Sequence, residues 1–164
     1  MRTFIGIEIP ERIKERIKEF NEFDNMFKRT VDENLHITLS FLGEVENVNE
    51  IYKQLKGIKS NVCVNLKGVN VFIPEFIRII YINVDGLEPL LDEIRKKGFK
   101  TTDPHLTIYR VNFKPKDKKQ ILETIQKYKN TEFGKFCPKT INIYESILEK
   151  PHARYKILYK VDIV

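Results

Sequence analysis

Polar and apolar residues are distributed along this chain in two recurring patterns. Extended runs, several of which alternate apolar and polar residues, are typical of strands, whereas apolar residues every three or four positions are typical of amphipathic helices. The predicted strands are 3–9, 28–31, 35–42, 62–72, 77–84, 105–111, 132–136, 140–148 and 153–163. The predicted helices are 11–23, a helix capped by Asn47 that carries Ile51, Leu55 and Ile58, 87–97 and 117–128.

Two local signals refine this pattern. Asn47 followed by Glu50 resembles a capping box, with Asn in the place of the usual Ser or Thr, and predicts a side-chain cap at the start of the second helix. Gly68 lies inside an extended run, where a glycine often marks a bulge.

A four-residue pattern of His, apolar, Thr, apolar occurs twice, at residues 36–39 and 105–108. The chain has three histidines, and two of them belong to this pattern. Each copy lies in a predicted strand, where side chains two positions apart share one face. His36 and Thr38 therefore share a face, as do His105 and Thr107, while the apolar residues point into a core.

The repeated pattern also bears on the architecture. Each motif strand is followed by a helix and then by further strands, which is a weak internal repeat of β-α-β-β type. Helices that alternate with hairpin-like strand pairs indicate an α+β fold with largely antiparallel sheets. We expect one bilobal domain over residues 1–164, in which two similar sheet-and-helix lobes face each other and place both His-Thr pairs across a central cleft.

Charge and composition narrow the class of partner. The net charge of +6 favours an anionic partner such as a nucleic acid. No apolar run approaches the roughly 20 residues of a membrane span, and the first segment has no signal-peptide pattern, so we expect a cytoplasmic protein. Cys63 and Cys137 form neither a metal-type cluster nor a disulfide framework. They are predicted to be two buried, reduced thiols.

Two imidazoles, each beside a hydroxyl, suit acid–base chemistry on a phosphate. One imidazole can accept a proton from the nucleophile while the other donates a proton to the leaving oxygen. Thr38 and Thr107 can donate hydrogen bonds to phosphate oxygens. Two distant histidines without a third clustered ligand do not make a zinc signature, so neither a metal nor another cofactor is expected.

The residues around both motifs resemble those of the two-histidine phosphoesterases, in the branch of the RNA 2′,3′-cyclic phosphodiesterases, also called 2′-5′ RNA ligases. The resemblance rests on residues 33–45, which read ENLHITLSFLGEV, and on residues 105–111, which read HLTIYRV. The opening RTFIGIE at residues 2–8 and the YES at residues 144–146 are also similar, so that the resemblance spans nearly the whole chain.

This resemblance implies a bilobal fold with a basic cleft and hydrolysis of a terminal 2′,3′-cyclic phosphate to a 2′-phosphate, with slow reverse ligation as a second activity. It implies that His105 activates water as the proton acceptor and that His36 protonates the departing 3′-oxygen. It also assigns Arg110 to the phosphate. Strict alternation, however, puts Arg110 on the face of Leu106, so that role requires a bulge or a strand end at Tyr109; the alternative is a solvated arginine.

Other residues are weaker candidates. His152 is predicted to be a surface residue in a loop, and the basic runs at 96–97 and 116–119 to be solvated faces that could follow an RNA backbone. Four aromatic residues could stack on a base, although packing in the core or at a rim is the simpler expectation for each: Phe72, Phe76, Tyr144 and Tyr155.

The sequence therefore predicts a metal-independent phosphoesterase, expected as a monomer, that acts on RNA ends such as those of tRNA fragments. The same chemistry on a cyclic nucleotide or a nucleotide-sugar cyclic phosphate remains an alternative. A second alternative is an RNA-binding accessory protein without turnover, although such a protein does not need both an acid and a base.

Overall fold

A computed structural model describes residues 1–72, 77–111 and 115–164. These residues contain nine strands and four α-helices. The strands are β1 (Arg2–Glu8), β2 (Lys28–Arg29), β3 (His36–Glu44), β4 (Val64–Asn70), β5 (Ile79–Asp85), β6 (His105–Arg110), β7 (Glu132–Phe136), β8 (Thr140–Ile147) and β9 (Arg154–Asp162). The helices are α1 (Glu11–Lys18), α2 (Val48–Leu55), α3 (Glu88–Lys96) and α4 (Lys118–Lys127), and a single 3-10 turn, Asp32–Asn34, precedes β3.

The strands form two antiparallel sheets. The first has four strands in the order β3-β1-β8-β9, and the second has five in the order β2-β6-β5-β4-β7. The motif strand β3 lies at an edge of the first sheet and the motif strand β6 inside the second, and the two strands are neighbours where the sheets meet. The prediction of an α+β fold with two antiparallel lobes is confirmed.

The sequence repeat does not divide the chain into two contiguous lobes. Each motif strand is followed by a helix and two strands, as predicted. However, β4 and β5 pair with each other and β5 pairs with β6, so the strands that follow the first motif build the lobe of the second motif. Strands from both ends of the chain build the first sheet. The two lobes therefore depend on each other's segments.

A shared hydrophobic core joins the sheets and the helices. Each helix turns one apolar face inward, as its spacing predicts, and a buried side chain of this size contributes about 1.5–3 kcal/mol of transfer free energy. The buried helical residues are Ile13, Ile17, Val48, Leu55, Leu90, Leu91, Ile94, Ile121 and Ile125. They belong to one cluster with buried residues of both sheets.

The first helix is shorter than predicted. It ends at Lys18, whereas the sequence predicted a helix to residue 23. Beyond it the chain turns, and Phe20 and Phe23 are buried beside Tyr109 with ring centroids 6.3 and 5.7 Å away. The N–H of Asp24 donates to the carbonyl oxygen of Asn21, while the carbonyl oxygen of Phe20 accepts from Nη2 of Arg29, so tertiary contacts override the local pattern.

The two local signals had different outcomes. Asn47 is the residue before α2, but its side chain makes no capping hydrogen bond, so the predicted capping box is wrong. The bulge at Gly68 is confirmed, because the pairing of β4 with β5 shifts between Leu66 and Val69. Gly68 has φ of +91°, and a Cβ at this position would collide with the carbonyl oxygen of Lys129. Only glycine satisfies both constraints without cost.

The prediction of two buried, reduced thiols is wrong. Cys63 and Cys137 form a disulfide, with their Cα atoms 4.0 Å apart, and both residues are exposed. The reason is the pairing of β4 with β7, in which Val64 lies opposite Phe136. Because the two strands run antiparallel, Cys63, which precedes Val64, lies opposite Cys137, which follows Phe136. Their separation of 74 residues along the chain gave no indication of this contact.

In the parts of the chain that the structure describes, no helix combines the length and the apolar composition that a membrane crossing needs.

Candidate active site

Both motifs line one cavity between the sheets. This cavity has a volume of about 590 Å³, and its walls include His36, Thr38, His105 and Thr107. The two apolar positions of each motif are buried, as the alternation predicts. The structure therefore brings the two His-Thr pairs, which are distant in sequence, to one site.

The first imidazole is held by hydrogen bonds at both ring nitrogens. Nδ1 of His36 lies 2.7 Å from the carbonyl oxygen of Asn34, which can only accept, so Nδ1 carries a hydrogen. Nε2 lies 2.8 Å from Oγ1 of Thr38. In the neutral ring, Nε2 therefore has a lone pair, and in the charged ring it has a proton to give. The backbone thus fixes which nitrogen of His36 exchanges protons with the cleft.

The second imidazole is oriented in the same way, by a hydrogen bond from Nδ1 to a backbone carbonyl group. Nδ1 of His105 lies 3.0 Å from the carbonyl oxygen of Asp103, again two residues before the histidine. Nε2 of His105 has no hydrogen-bond partner among residues 1–72, 77–111 and 115–164. In its neutral form this nitrogen can therefore accept a proton from a water molecule in the cleft.

Aromatic rings pack against each histidine. Phe4 and Tyr155 lie 5.1 and 5.0 Å from the His36 ring, and a Cβ on Gly6 would lie 3.6 Å from its Cδ2. That distance is an ordinary van der Waals contact; the close approach at position 6 is to the carbonyl oxygen of Ile37, which would lie 2.9 Å from the same Cβ. Tyr155, one of the aromatic residues considered for base stacking, therefore packs against His36 at the rim of the cavity.

The other two described candidates for base stacking also pack against neighbouring rings. Tyr144 is buried and stacks on Phe4 with centroids 4.8 Å apart. Phe72 is 52% exposed and packs edge-on against His105 at 4.8 Å. Phe76 lies outside the described residues.

A β-bulge in each motif strand turns a further residue into the cavity. In β6, Tyr109 pairs with Ile80 and Thr107 with Tyr81, so that Ile108 has no partner on β5. Ile108 and Tyr109 are consequently both buried, and Arg110 returns to the face of His105. The conflict between Arg110 and strict alternation is resolved by this bulge, which lies one residue before the position that the sequence suggested.

The first motif has its bulge at the same position. In β3, Leu39 has no partner on β1, because Thr38 pairs with Gly6 and Ser40 with Ile5. Phe41 then lines the cavity at the position that Arg110 occupies in the second motif, five residues after the histidine, and is 66% exposed. The sequence analysis missed Phe41; the equal spacing from each histidine was the signal that could have found it.

The cavity is strongly basic. Among the described residues that line it, four carry a cationic side chain and none is an Asp or a Glu. The cations are Arg2, Lys28, Arg29 and Arg110. Arg29 is engaged elsewhere, since its Nε lies 3.0 Å from Asp24 and its Nη2 donates to the Tyr109 hydroxyl at 3.0 Å. Such a surface attracts an anionic ligand.

Burial controls the protonation of His36. Desolvation lowers the pKa of this imidazole below its usual 6.5, the hydrogen bond to the Asn34 carbonyl opposes this, and the positive charges of Arg110 and His105 lower the pKa further. Without a ligand, His36 is therefore biased towards the neutral form. A bound anion has the opposite effect, because it stabilises the imidazolium.

His152 is less exposed than the sequence predicted. His152 lies in the connection between β8 and β9, as predicted, but its side chain is half-buried and lines the cavity. Asn34 holds this connection, because its Nδ2 donates to the carbonyl oxygen of Ala153 at 2.7 Å. All three histidines of the chain therefore line the same cavity. The basic run at 116–119 lies apart from it, at the start of α4.

Asn34 was missed in the sequence analysis. It is buried, it orients His36 through its carbonyl oxygen, and it anchors the β8–β9 connection through its side chain. Its place two residues before the motif histidine gave no signal, because these contacts join segments that are distant in sequence.

Among the described residues, no three His, Cys, Asp or Glu side chains are grouped in a way that could hold a metal ion.

Comparison with known proteins identifies relatives across almost the whole chain. The family model described as "LigT like Phosphoesterase" matches residues 7–81. A protein of Methanocaldococcus jannaschii named RNA 2′,3′-cyclic phosphodiesterase is 39% identical over 96% of this chain and 98% of its own length. A protein of Thermotoga maritima with the same name is 31% identical over 98% of this chain and 94% of its own length.

Solved structures share the fold. TT0787 of Thermus thermophilus superposes with a TM-score of 0.76 at 18% identity, over 99% of this chain and 98% of that protein. LigT of E. coli complexed with 3′-AMP superposes with a TM-score of 0.73 at 21% identity, again over 99% of this chain and 98% of the other.

Proposed function

This chain belongs to the LigT-like phosphoesterases, in the family of the RNA 2′,3′-cyclic phosphodiesterases, and we propose from that premise that it hydrolyses the 2′,3′-cyclic phosphate at the end of an RNA to a 2′-phosphomonoester. The observation that carries the proposal is the pair of imidazoles on one basic cavity, each with Nδ1 bonded to a backbone carbonyl. This arrangement leaves two Nε2 atoms for proton transfer, which is what opening a cyclic phosphate requires.

In the proposed reaction, a water molecule attacks the phosphorus atom while Nε2 of neutral His105 takes its proton. The bond between phosphorus and the 3′-oxygen breaks, and Nε2 of charged His36 gives its proton to that oxygen. The products are a 2′-phosphate and a free 3′-hydroxyl. His105 is then charged and His36 neutral, so one proton must return between them before the next turnover.

Three further side chains are proposed to hold the phosphate. The hydroxyls of Thr38 and Thr107 donate to the two non-bridging oxygens, and the guanidinium of Arg110 stabilises the negative charge that grows as water attacks. The bulge at Ile108 supports this assignment, because it puts Arg110 on the wall that carries His105 and Thr107.

The division of roles has a physical basis. Nε2 of His105 has no partner within the described parts of the chain and is therefore available to a nucleophilic water. His36 is biased towards the neutral form in the empty cavity, and the anionic substrate itself supplies the charge that favours its protonation. The acid is thus proposed to become charged when substrate binds.

The setting of the reaction is also proposed. We expect a monomer that acts in the cytoplasm on RNA ends, tRNA fragments among them, with 2′-5′ ligation as the reverse of the same chemistry. The basic cavity supports an RNA ligand.

Turnover of an oligoribonucleotide with a 2′,3′-cyclic phosphate end tests the proposal. The product should carry its phosphate on the 2′-oxygen, which is determined by comparison with authentic 2′- and 3′-phosphate standards. A 3′-phosphate product would mean that the wrong oxygen has been assigned as the leaving group. Turnover of cyclic mononucleotides without turnover of RNA would favour a cyclic nucleotide substrate, and RNA binding without turnover of either would favour an accessory protein.

A further inference from the structure

Two cations face each other across paired strands at one side of the cavity. Lys28 of β2 lies directly opposite Arg110 of β6, and both line the cavity. Like charges at opposite positions of neighbouring strands destabilise a sheet. Such a pair is tolerated when bound anions neutralise the two charges, so this position points to a ligand rather than to the fold.

No carboxylate compensates the pair. Neither Lys28 nor Arg110 forms an ion pair with an Asp or a Glu in the described parts of the chain. Arg29, the residue next to Lys28, shows the contrast, because Asp24 neutralises it at 3.0 Å. Within the described residues, a carboxylate thus neutralises Arg29, whereas the two cations that face each other across β2 and β6 have none.

The β8–β9 connection completes this side of the cavity. Nζ of Lys28 donates to the carbonyl oxygen of Pro151, which holds the ammonium group beside the neighbouring His152. Nδ1 of His152 lies 3.1 Å from the carbonyl oxygen of Ala153, so its Nε2 is the nitrogen left for a ligand. Thr30, two residues after Lys28, lines the same cavity, and its buried hydroxyl has no hydrogen-bond partner in the described residues.

We propose that Lys28, Thr30 and His152, which we call the basic corner, form a second phosphate site, and that it binds the phosphate attached to the 5′-oxygen of the terminal nucleotide. This inference rests on the proposed function. A cyclic phosphate carries one negative charge, for which Arg110 and two threonine hydroxyls already suffice. The additional donors of the basic corner match the next anion along an RNA strand, which is the phosphodiester that joins the last two nucleotides.

The consequence is a preference for chains over single nucleotides. A dinucleotide with a 2′,3′-cyclic phosphate end should be turned over with a higher kcat/KM than the corresponding cyclic mononucleotide, because only the dinucleotide reaches the basic corner. A dinucleotide with an uncharged methylphosphonate between its nucleotides should lose this advantage. A cyclic mononucleotide with a 5′-phosphate distinguishes the two sources of the anion, since it offers a terminal phosphate instead of a diester.

Lys28→Gln is the direct test. We expect it to lower kcat/KM for the dinucleotide about tenfold, which is typical for the loss of one charged contact, and to leave kcat/KM for the cyclic mononucleotide unchanged. With the methylphosphonate dinucleotide, Lys28→Gln should have no effect, because the contact is already absent. The salt dependence of kcat/KM for the dinucleotide should also fall by about one phosphate contact. His152→Gln should act on the same substrate and spare the mononucleotide.

Arg2→Gln is the matched control. Arg2 also lines the cavity without a carboxylate partner in the described residues, but it begins β1 of the other sheet. The Arg2→Gln substitution removes one positive charge, as Lys28→Gln does, and should leave the ratio of dinucleotide to mononucleotide kcat/KM unchanged. If Arg2→Gln lowers this ratio as much as Lys28→Gln does, the effect is a general electrostatic one, and the assignment of a second phosphate site to the basic corner is wrong.

The outcomes separate this inference from the proposed function. If Lys28→Gln lowers turnover of both substrates equally, the second phosphate site is wrong while the phosphodiesterase activity stands. If the wild-type protein turns over neither substrate, the proposed function itself is wrong. If a 5′-phosphate on the cyclic mononucleotide raises kcat/KM as much as a second nucleotide does, the site is supported and any 5′-phosphate is sufficient. If only the dinucleotide raises kcat/KM, the site recognises the phosphodiester.

Discussion

The carbonyl oxygen of Leu39 accepts a hydrogen bond from the backbone N–H of Thr102 over 3.0 Å. Leu39 is the residue that the bulge in β3 leaves without a partner on β1, and Thr102 lies in the segment that leads to β6. The bulge therefore does two things: it turns Phe41 towards the cavity, and it frees a carbonyl group that ties one motif strand to the approach of the other. Ser40, whose hydroxyl donates to the carbonyl oxygen of Lys100, adds a second tie between the same segments.

The second bulge has a corresponding bond. The carbonyl oxygen of Ile108 accepts from the backbone N–H of Thr30 over 2.9 Å. In this way β2 is extended along β6, and Lys28 is fixed opposite Arg110. The geometry of the cavity thus depends on backbone hydrogen bonds at two residues that the motif itself shows only as apolar positions.

Replacing either motif histidine should abolish most of the activity. His36→Gln and His105→Gln should each reduce kcat by about 10²–10⁴-fold, since each removes one proton-transfer group. Glutamine is preferred to alanine for His36, because this ring packs against Phe4 and Tyr155 and its removal would leave a void. Steady-state kinetics on a cyclic-phosphate RNA end, with circular dichroism to verify the fold, measure the effect. A variant that is folded and near-normal in rate would refute the role of that histidine.

Replacing either motif threonine by valine should have a smaller effect. Each change keeps the shape of the side chain and removes one hydrogen bond to the charged phosphate, at a cost of about 1.5–3 kcal/mol or about 10- to 150-fold in rate. Thr38→Val also removes the hydroxyl that contacts Nε2 of His36, so its effect should be the larger of the two. Thr124→Val on α4 is the matched control and should leave kcat/KM at the wild-type value. Unchanged kinetics in Thr38→Val and Thr107→Val would show that neither hydroxyl contacts the phosphate.

The protonation of His36 can be followed directly. Its imidazole should titrate below 6.5 in the free protein, and Arg110→Gln should raise this pKa, because a nearby positive charge is removed. Since the pKa of the folded state is the lower one, the unfolded state binds more protons, and this group lowers the free energy of unfolding as the pH falls through about 6.5. NMR titration of the ring nitrogens measures the pKa; a value at or above 6.5 in the free protein would contradict the effect of burial.

The disulfide should contribute to stability. Cys63 and Cys137 close a long loop, and such a bond typically contributes about 2–4 kcal/mol to the free energy of unfolding. Thiol titration of the native protein without reductant should find no free cysteine, and treatment with dithiothreitol should lower the midpoint of chemical denaturation. The double variant Cys63→Ser, Cys137→Ser should be insensitive to dithiothreitol. Two free thiols in the untreated native protein would disprove the bond.

The sequence predicted those parts of the molecule that short-range patterns determine. Extended runs predicted the nine strands. The repeated His-x-Thr pattern located both His-Thr pairs of the cavity, because period-two geometry places a histidine and a threonine on one face without reference to the rest of the fold. The family resemblance added Arg110, which alternation alone assigned to the wrong face.

What the sequence did not predict depends on contacts between distant segments. The disulfide follows from the pairing of β4 with β7, and beyond the early end of α1 the carbonyl oxygen of Phe20 accepts from Arg29, which lies in another segment. The cavity position of His152 was missed because the residues next to it in the sequence do not show that Asn34 donates to the carbonyl oxygen of Ala153. The exchange of strands between the lobes likewise leaves no trace in the local pattern.

The pH dependence of turnover, measured with and without a chelator, tests the central claim that two histidines act as acid and base without a metal. One imidazole must be neutral while the other is charged, so kcat/KM on a 2′,3′-cyclic-phosphate RNA end should follow a bell between two macroscopic pKa values. Excess EDTA should leave the whole profile unchanged. A rate that rises with pH to a plateau, or that collapses with EDTA and returns with zinc or magnesium, would instead identify a metal-bound water as the nucleophile and contradict the roles assigned to His36 and His105.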